Sequence, residues 1–200
     1  MPTSWVLTRL KRNAQSEHVA ANIDRLALLH LEANPASYRD YLLKIYGFEA
    51  PVETALALAP GLGAVIDLGS RSHLRMLRSD LADLGITELG GVPRCRGVPR
   101  FSTVGEALGW MYVVEHNATL HGQVRRHLHK RVGPQRDSYL AAGERNGMIR
   151  VQELGAVLDR FAREPDIARQ VVEAVKLAFR CQRQWFATAP TRDIRPTRVA

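Results

Sequence analysis

Residues 165–185, Pro165-Asp-Ile-Ala-Arg-Gln-Val-Val-Glu-Ala-Val-Lys-Leu-Ala-Phe-Arg-Cys-Gln-Arg-Gln-Trp185, decide the fold class. Ile167, Val171, Ala174, Ala178, Cys181 and Trp185 step by four or three and therefore share one face of a helix. Such a stripe is built to face a core, and no chemistry is assigned to it. The same period recurs toward the N-terminus, whereas strand signals are nearly absent. A first helix is expected from about Trp5 toward Glu32. A second opens at Asn34-Pro35, with Asn as N-cap and Pro in the first helical position. It carries Tyr38, Tyr41, Leu42, Ile45 and Tyr46 and is expected to bend near Gly47 and Pro51.

A further helix is expected from about Ser72 to Leu84. Gly85 to Phe101, with four glycines and two prolines, reads as an ordered loop. Thr103-Val-Gly-Glu106 is a capping box that starts a long helix to about Lys130. Shorter helices follow at about Ser138 to Glu144 and Met148 to Phe161, and the last begins at Pro165. About seven helices with short connections make an all-α, single-domain bundle. Its core spans about residues 5–187, with 188–200 expected to be a flexible tail.

A chain of 200 residues is long enough to bury a core without staples. No apolar run approaches the roughly 18 residues of a membrane span, and the first residues lack a secretory pattern, so a cytoplasmic protein is expected. The net charge of +8 suits an anionic partner: nucleic acid, an acidic protein or an anionic small molecule. Cys95 and Cys181 lie far apart and make no disulfide framework. Cys181 reads as a core residue, and Cys95, between Arg94 and Arg96, as a loop cysteine.

The seven histidines are His18, His30, His73, His116, His121, His127 and His129. Lys11 precedes His18 by two turns on the same face. An iron-centred anionic cofactor needs that pair, an imidazole for the metal and a cation for a carboxylate; a helix His near a Lys is more often surface decoration. Gly122 in mid-helix implies close backbone approach or a bend. No Glu-x-x-His occurs, which argues against a di-iron bundle. His-Glu-x-x-His, Gly-x-x-x-x-Gly-Lys and Gly-x-Gly-x-x-Gly are also missing. Arg125, Arg126, His127, His129, Lys130 and Arg131 form a basic helix end, read either as a solvated C-terminus or as a docking site for an acidic protein or nucleic acid. No helix-turn-helix or zinc module supports the nucleic-acid reading.

In order along the chain, several segments resemble heme oxygenases of the bacterial, phytochrome-associated, biliverdin-producing type. Leu10-Lys-Arg-Asn-Ala-Gln-Ser-Glu-His18 is similar to their proximal helix, and Tyr38 to Glu53 to their second helix. Leu77-Arg-Ser-Asp-Leu-Ala-Asp-Leu-Gly85 matches a further segment, and Glu106-Ala-Leu-Gly-Trp-Met-Tyr-Val-Val-Glu115 the start of the distal helix. Val172 to Arg180 fits the final helix. The resemblance implies axial ligation of heme iron by His18 and propionate contacts from Lys11, Tyr112 and Arg150. It also implies oxidative cleavage to biliverdin, CO and iron, with electrons from an acidic ferredoxin or flavin reductase and a bacteriophytochrome as a further partner.

One segment departs from the pattern. Where the family reads Glu-Gly-Ser-x-Leu-Gly-Gly, this chain reads Glu115-His-Asn-Ala-Thr-Leu-His-Gly-Gln123, in a register ambiguous by one residue. Aligning Leu120 puts Asn117 and His121 in place of two glycines and leaves Gly122. The catalytic positions by resemblance are therefore Asn117, His121 and Gly122. Three functions follow: heme cleavage, bis-histidine heme binding through His18 and His121 without turnover, or a non-heme interaction protein whose pocket is filled by His116, His121 and neighbours.

Overall fold

The computed structural model describes residues 4–26, 34–133 and 136–188. Eight α-helical segments occur among them: α1 (Trp5–Asn13), α2 (Gln15–Arg25), α3 (Pro35–Ala57), α4 (Leu74–Asp83), α5 (Val104–Ala118), α6 (His121–Val132), α7 (Ser138–Phe161) and α8 (Pro165–Thr188). Two short 3-10 turns, Leu62–Ala64 and Gly69–Arg71, connect α3 to α4. No strand is present among the described residues, so the chain is an all-α helical bundle. His30 and nearly all of the expected tail (from residue 189) lie outside the described residues.

The N-cap signals act as their chemistry dictates. Asn34 Oδ1 accepts from the Ser37 N–H at 2.9 Å, and Thr103 Oγ1 accepts from the Glu106 N–H at 3.2 Å. α5 is the central helix, packed by α8, α7 and α3 and buried around nearly its whole circumference. Gly109 permits the closest of these approaches: a Cβ there would lie 2.6 Å from the Ala174 Cβ and 2.9 Å from the Val171 carbonyl oxygen. Gly109→Ala is expected to destabilise the fold by about 1–3 kcal/mol through overpacking, read as a lower urea midpoint with an unchanged m-value.

Two apolar clusters fill the interior. One gathers Leu10, Phe48, Trp110, Leu154 and Phe179 from α1, α3, α5, α7 and α8. The other gathers Tyr38, Ile45, Leu77, Leu128 and Leu140 from α3, α4, α6 and α7. In α8 the expected stripe holds: Val171, Ala174, Ala178 and Cys181 are buried, while Ile167 and Trp185 pack partly buried at its ends.

Helix boundaries differ from the sequence reading in three places. The first helix is interrupted at Ala14, giving α1 and α2. The long helix breaks at Thr119–Leu120, where the Thr119 hydroxyl donates to the His116 carbonyl at 2.6 Å, so His121 begins a new helix. Conversely, the two expected short helices are one, α7. Gly143 and Gly147 lie inside it as contact points: a Cβ at Gly147 would lie 2.9 Å from the Ala118 carbonyl.

α3 runs through Pro51 without ending. Proline has no N–H for the Gly47 carbonyl four residues back. That carbonyl instead accepts the Cys95 N–H at 2.8 Å, which anchors the 85–101 loop onto α3. Asp80 on α4 accepts from the N–H groups of Ser138 (3.0 Å) and Tyr139 (2.9 Å), satisfying donors at the start of α7.

Candidate functional site

Polar groups enter the interior at several places among the described residues; three of them gather His18 and His116, His121, and His73 in turn, each positioned by a different set of helices. The first lies where α2, α5 and α8 meet. The rings of His18 and His116 pack with centroids 3.9 Å apart. Phe179 closes the pair edge-on at 5.3 Å from His18, and Tyr112 stacks on His116 at 6.0 Å. His116 Nε2 is 3.0 Å from Asn22 Oδ1 and donates to it, because an amide oxygen only accepts. Burial, reinforced by the charge of Lys11, lowers the His18 pKa. Burial and the neighbouring His18 take His116 down to about 3. Both imidazoles are therefore neutral at pH 7, and His18 Nε2 is buried with no hydrogen-bond partner.

The second place is formed by α2, α3, α6 and α7. Arg25, fully buried, directs Nη2 to Glu49 Oε1 (3.3 Å), Tyr139 Oη (3.2 Å) and His121 Nε2 (3.3 Å). Tyr139 in turn donates to Glu49 at 2.7 Å. A guanidinium only donates, so His121 Nε2 accepts and the ring carries its proton on Nδ1. The His121 ring lies over Tyr139 at 4.5 Å and fits beside Gly143, where a Cβ would collide with Nδ1. Burial, then the charges of Arg25 and His73, hold His121 neutral, well below its ordinary range.

The third place is the floor of a cleft between α3, α5 and the 3-10 turns, with a volume of about 240 Å³. Leu56, Ala57, Leu68, Met111 and Val114 line its walls. Glu115 lies at its base with Arg71 Nη1 at 3.0 Å, Arg150 Nε at 3.7 Å and His73 Nε2 at 3.8 Å. Burial raises the Glu115 pKa, but His73 and the guanidiniums of Arg150 and Arg71 outweigh it and keep the carboxyl ionised. Arg71 also pairs with Glu153 at 2.9 Å.

The structure brings His18 and Tyr112 each against His116, and Lys11, exposed on α1, lies close enough to add its charge to His18. It does not bring His121 to them: His121 meets α2 at Arg25, two turns (roughly 10 Å of rise) beyond His18. Asn117 is buried and donates to Gln182 Oε1 at 2.7 Å. Gly122 faces Glu144 on α7. Arg150 belongs to the Glu115 cluster, with Nη1 2.6 Å from His73 Nε2. The basic end of α6 is partly neutralised from within: Arg125 and His129 pair with Asp137, and Arg125 and Arg126 pair with Glu144.

Heme, implied by the sequence resemblance, does not fit at His18 in this structure. A macrocycle in contact on both faces needs roughly 7 Å between flanking groups, since each contact spans about 3.5–4 Å. His116 stands 3.9 Å from His18. Arg150, the propionate candidate, is paired with Glu115. The unpartnered His18 Nε2 is the feature that suits an axial ligand. No group of three or more His, Cys, Asp or Glu side chains capable of holding a metal occurs among the described residues.

Sequence reasoning singles out none of Arg25, Glu49 and Tyr139, and it names His73 only among the histidines and Glu115 only as part of the distal segment. Glu49 carried the one available signal, a lone carboxylate in the apolar run Ile45-Tyr-Gly-Phe-Glu-Ala50. Comparisons with models of protein families, with characterised proteins and with solved structures found no match. No helix among the described residues is long and apolar enough to cross a membrane.

Proposed function

We propose that this chain is a heme-oxygenase-like helical protein that does not turn heme over and serves as an interaction domain for an acidic protein partner. The observation that carries this reading is the direct, tilted packing of the His18 ring against His116 at 3.9 Å, across the space where the resemblance implies heme. The partner class follows from charge. Arg9, Lys11 and Arg12 are exposed on α1, which holds no acidic residue. They stand between exposed Trp5 and, on α2, exposed Val19 and Ile23. A basic strip with apolar ends complements an acidic surface carrying apolar anchors.

The test is an absorption titration with hemin followed by ascorbate in air. The expected result is no saturable Soret band and no biliverdin. A stoichiometric band that decays to biliverdin would overturn the reading in favour of an active heme oxygenase. For the partner class, quenching of tryptophan emission by an acidic peptide is expected to saturate at low salt, and to be lost in the Arg9→Glu/Arg12→Glu variant. Equal quenching of that variant would remove α1 as the docking strip.

A second reading, heme capture without turnover, is favoured by one observation, the neutral and unpartnered Nε2 of His18. It requires α2 to move away from α5. A saturable six-coordinate low-spin spectrum without decay would select it.

A further inference from the structure

Cys95 and Cys181, 86 positions apart, meet in the fold with their sulfurs 3.4 Å from one another. Cys95 projects from the 85–101 loop and Cys181 from the buried face of α8. Both thiols are free. We propose that Cys95 and Cys181 are a reversible oxidation site, in which a peroxide or a small disulfide joins them and staples the loop to α8.

Four features make the pair a site instead of an accident of packing. The main chain at Cys95 is held by the Gly47 carbonyl that Pro51 leaves free, so the residue has a fixed base. Gly97 makes room: a Cβ there would lie 2.9 Å from Cys181 Sγ. The sulfurs need only close by about 1.4 Å to reach bonding distance, a movement that side-chain rotation can supply. Arg94, Arg96 and Gly97 around Cys95 are exposed, so an oxidant has one shallow layer to cross.

The two thiols are chemically unequal. At 3.4 Å either sulfur can donate to the other; once Cys95 ionises, the Cys181 thiol donates to it, beside the Gly97 and Val98 N–H groups. Together they bring its pKa down to about 7. Cys181, on the buried face of α8, is pushed up by its contact with Cys95 and by burial. Cys95 is thus the nucleophile and Cys181 the resolving thiol.

With hydrogen peroxide, the Cys95 thiolate attacks one oxygen. The S–O bond forms, the O–O bond breaks, and hydroxide leaves and takes up the Cys95 proton as water. Cys181 sulfur then attacks the sulfenic sulfur: the S–S bond forms, the S–O bond breaks and a second water leaves with the Cys181 proton. Two thiols are oxidised by two electrons and one peroxide is reduced to two waters. A thiol reductant reverses the bond by exchange.

The experiment treats the reduced full-length chain with stoichiometric hydrogen peroxide, then denatures it with a maleimide present. The expected result is loss of both titratable thiols in a monomer lighter by the mass of two hydrogens, with Cys95 and Cys181 in one cross-linked tryptic peptide. The melting temperature should rise by about 5–10 °C, because the bond closes a long loop, and fall back with dithiothreitol. Cys181→Ser should show no such rise. Retention of both thiols, oxidation of Cys95 alone, or disulfides only between molecules would each overturn the proposal, as would an equal rise in Cys181→Ser.

Discussion

Arg25→Leu is expected to destabilise the protein by about 3–5 kcal/mol, the usual cost of removing one member of a buried ion pair. Arg25 is fully buried and a single nitrogen, Nη2, faces Glu49, Tyr139 and His121 together. Without it, Glu49 keeps only the Tyr139 hydroxyl in a dry interior, where burial already holds its carboxyl above the ordinary range. Arg25→Lys does not rescue the cluster, because a single ammonium cannot reproduce the planar fork. The double variant Arg25→Leu/Glu49→Leu removes both charges and should recover most of the loss. Urea unfolding of the three variants measures this. A cost below about 1 kcal/mol for Arg25→Leu would mean that the cluster is not a structural centre.

Stability is expected to fall steeply as the pH drops from 7 to 5, and the buried histidines are the cause. His116 and His121 have folded-state pKa values below the ordinary 6.5. Their contribution is fully present above pH 6.5 and is lost as the pH falls, down to about 3 for His116, because the unfolded chain takes up the protons first. At about 1.4 kcal/mol per pH unit, His116 accounts for about 2 kcal/mol at pH 5, and His121 acts in the same direction. His18, also lowered by burial, acts in the same direction.

Asp80 acts the opposite way. Burial raises it to about 6, so its effect favours the folded state as the pH falls below that value. The clean measurement is therefore a difference. Unfolding free energies of the wild type and His116→Phe are compared at pH 7 and pH 5, so that the carboxylates cancel. His116→Phe should flatten the pH dependence by about 2 kcal/mol while keeping an aromatic ring against Tyr112 and Phe179. An unchanged dependence would show that His116 is not held neutral.

The Arg25 cluster also bears on the departure in the distal segment. The turn at Thr119–Leu120 swings His121 away from the α5 register and into the notch at Gly143. Faces assigned along one continuous helix from 103 to 130 do not survive that break. His116 keeps the α5 register, meets His18 and fills the space between α2 and α5. One of the two anomalous histidines thus became part of an aromatic contact and the other part of a buried ionic cluster. Neither destination is encoded by spacing alone.

The sequence by itself determined the all-α class, the N-caps at Asn34 and Thr103 and the core stripe of α8, because these depend on hydrogen bonds and periodicities within a few residues. Only the tertiary structure decided that Gly143 and Gly147 are contact glycines inside one helix, since a glycine that breaks a helix and one that admits a neighbour look alike in a string. Tertiary packing also decided the pairing of Cys95 with Cys181, because the carbonyl that anchors the loop is freed by a proline in another element. It likewise gathered Arg25, Glu49, Tyr139 and His121, from four helices, around one guanidinium. A buried charge declares its partners only when the chain is folded, because those partners are chosen by distance in space and by desolvation rather than by position along the sequence.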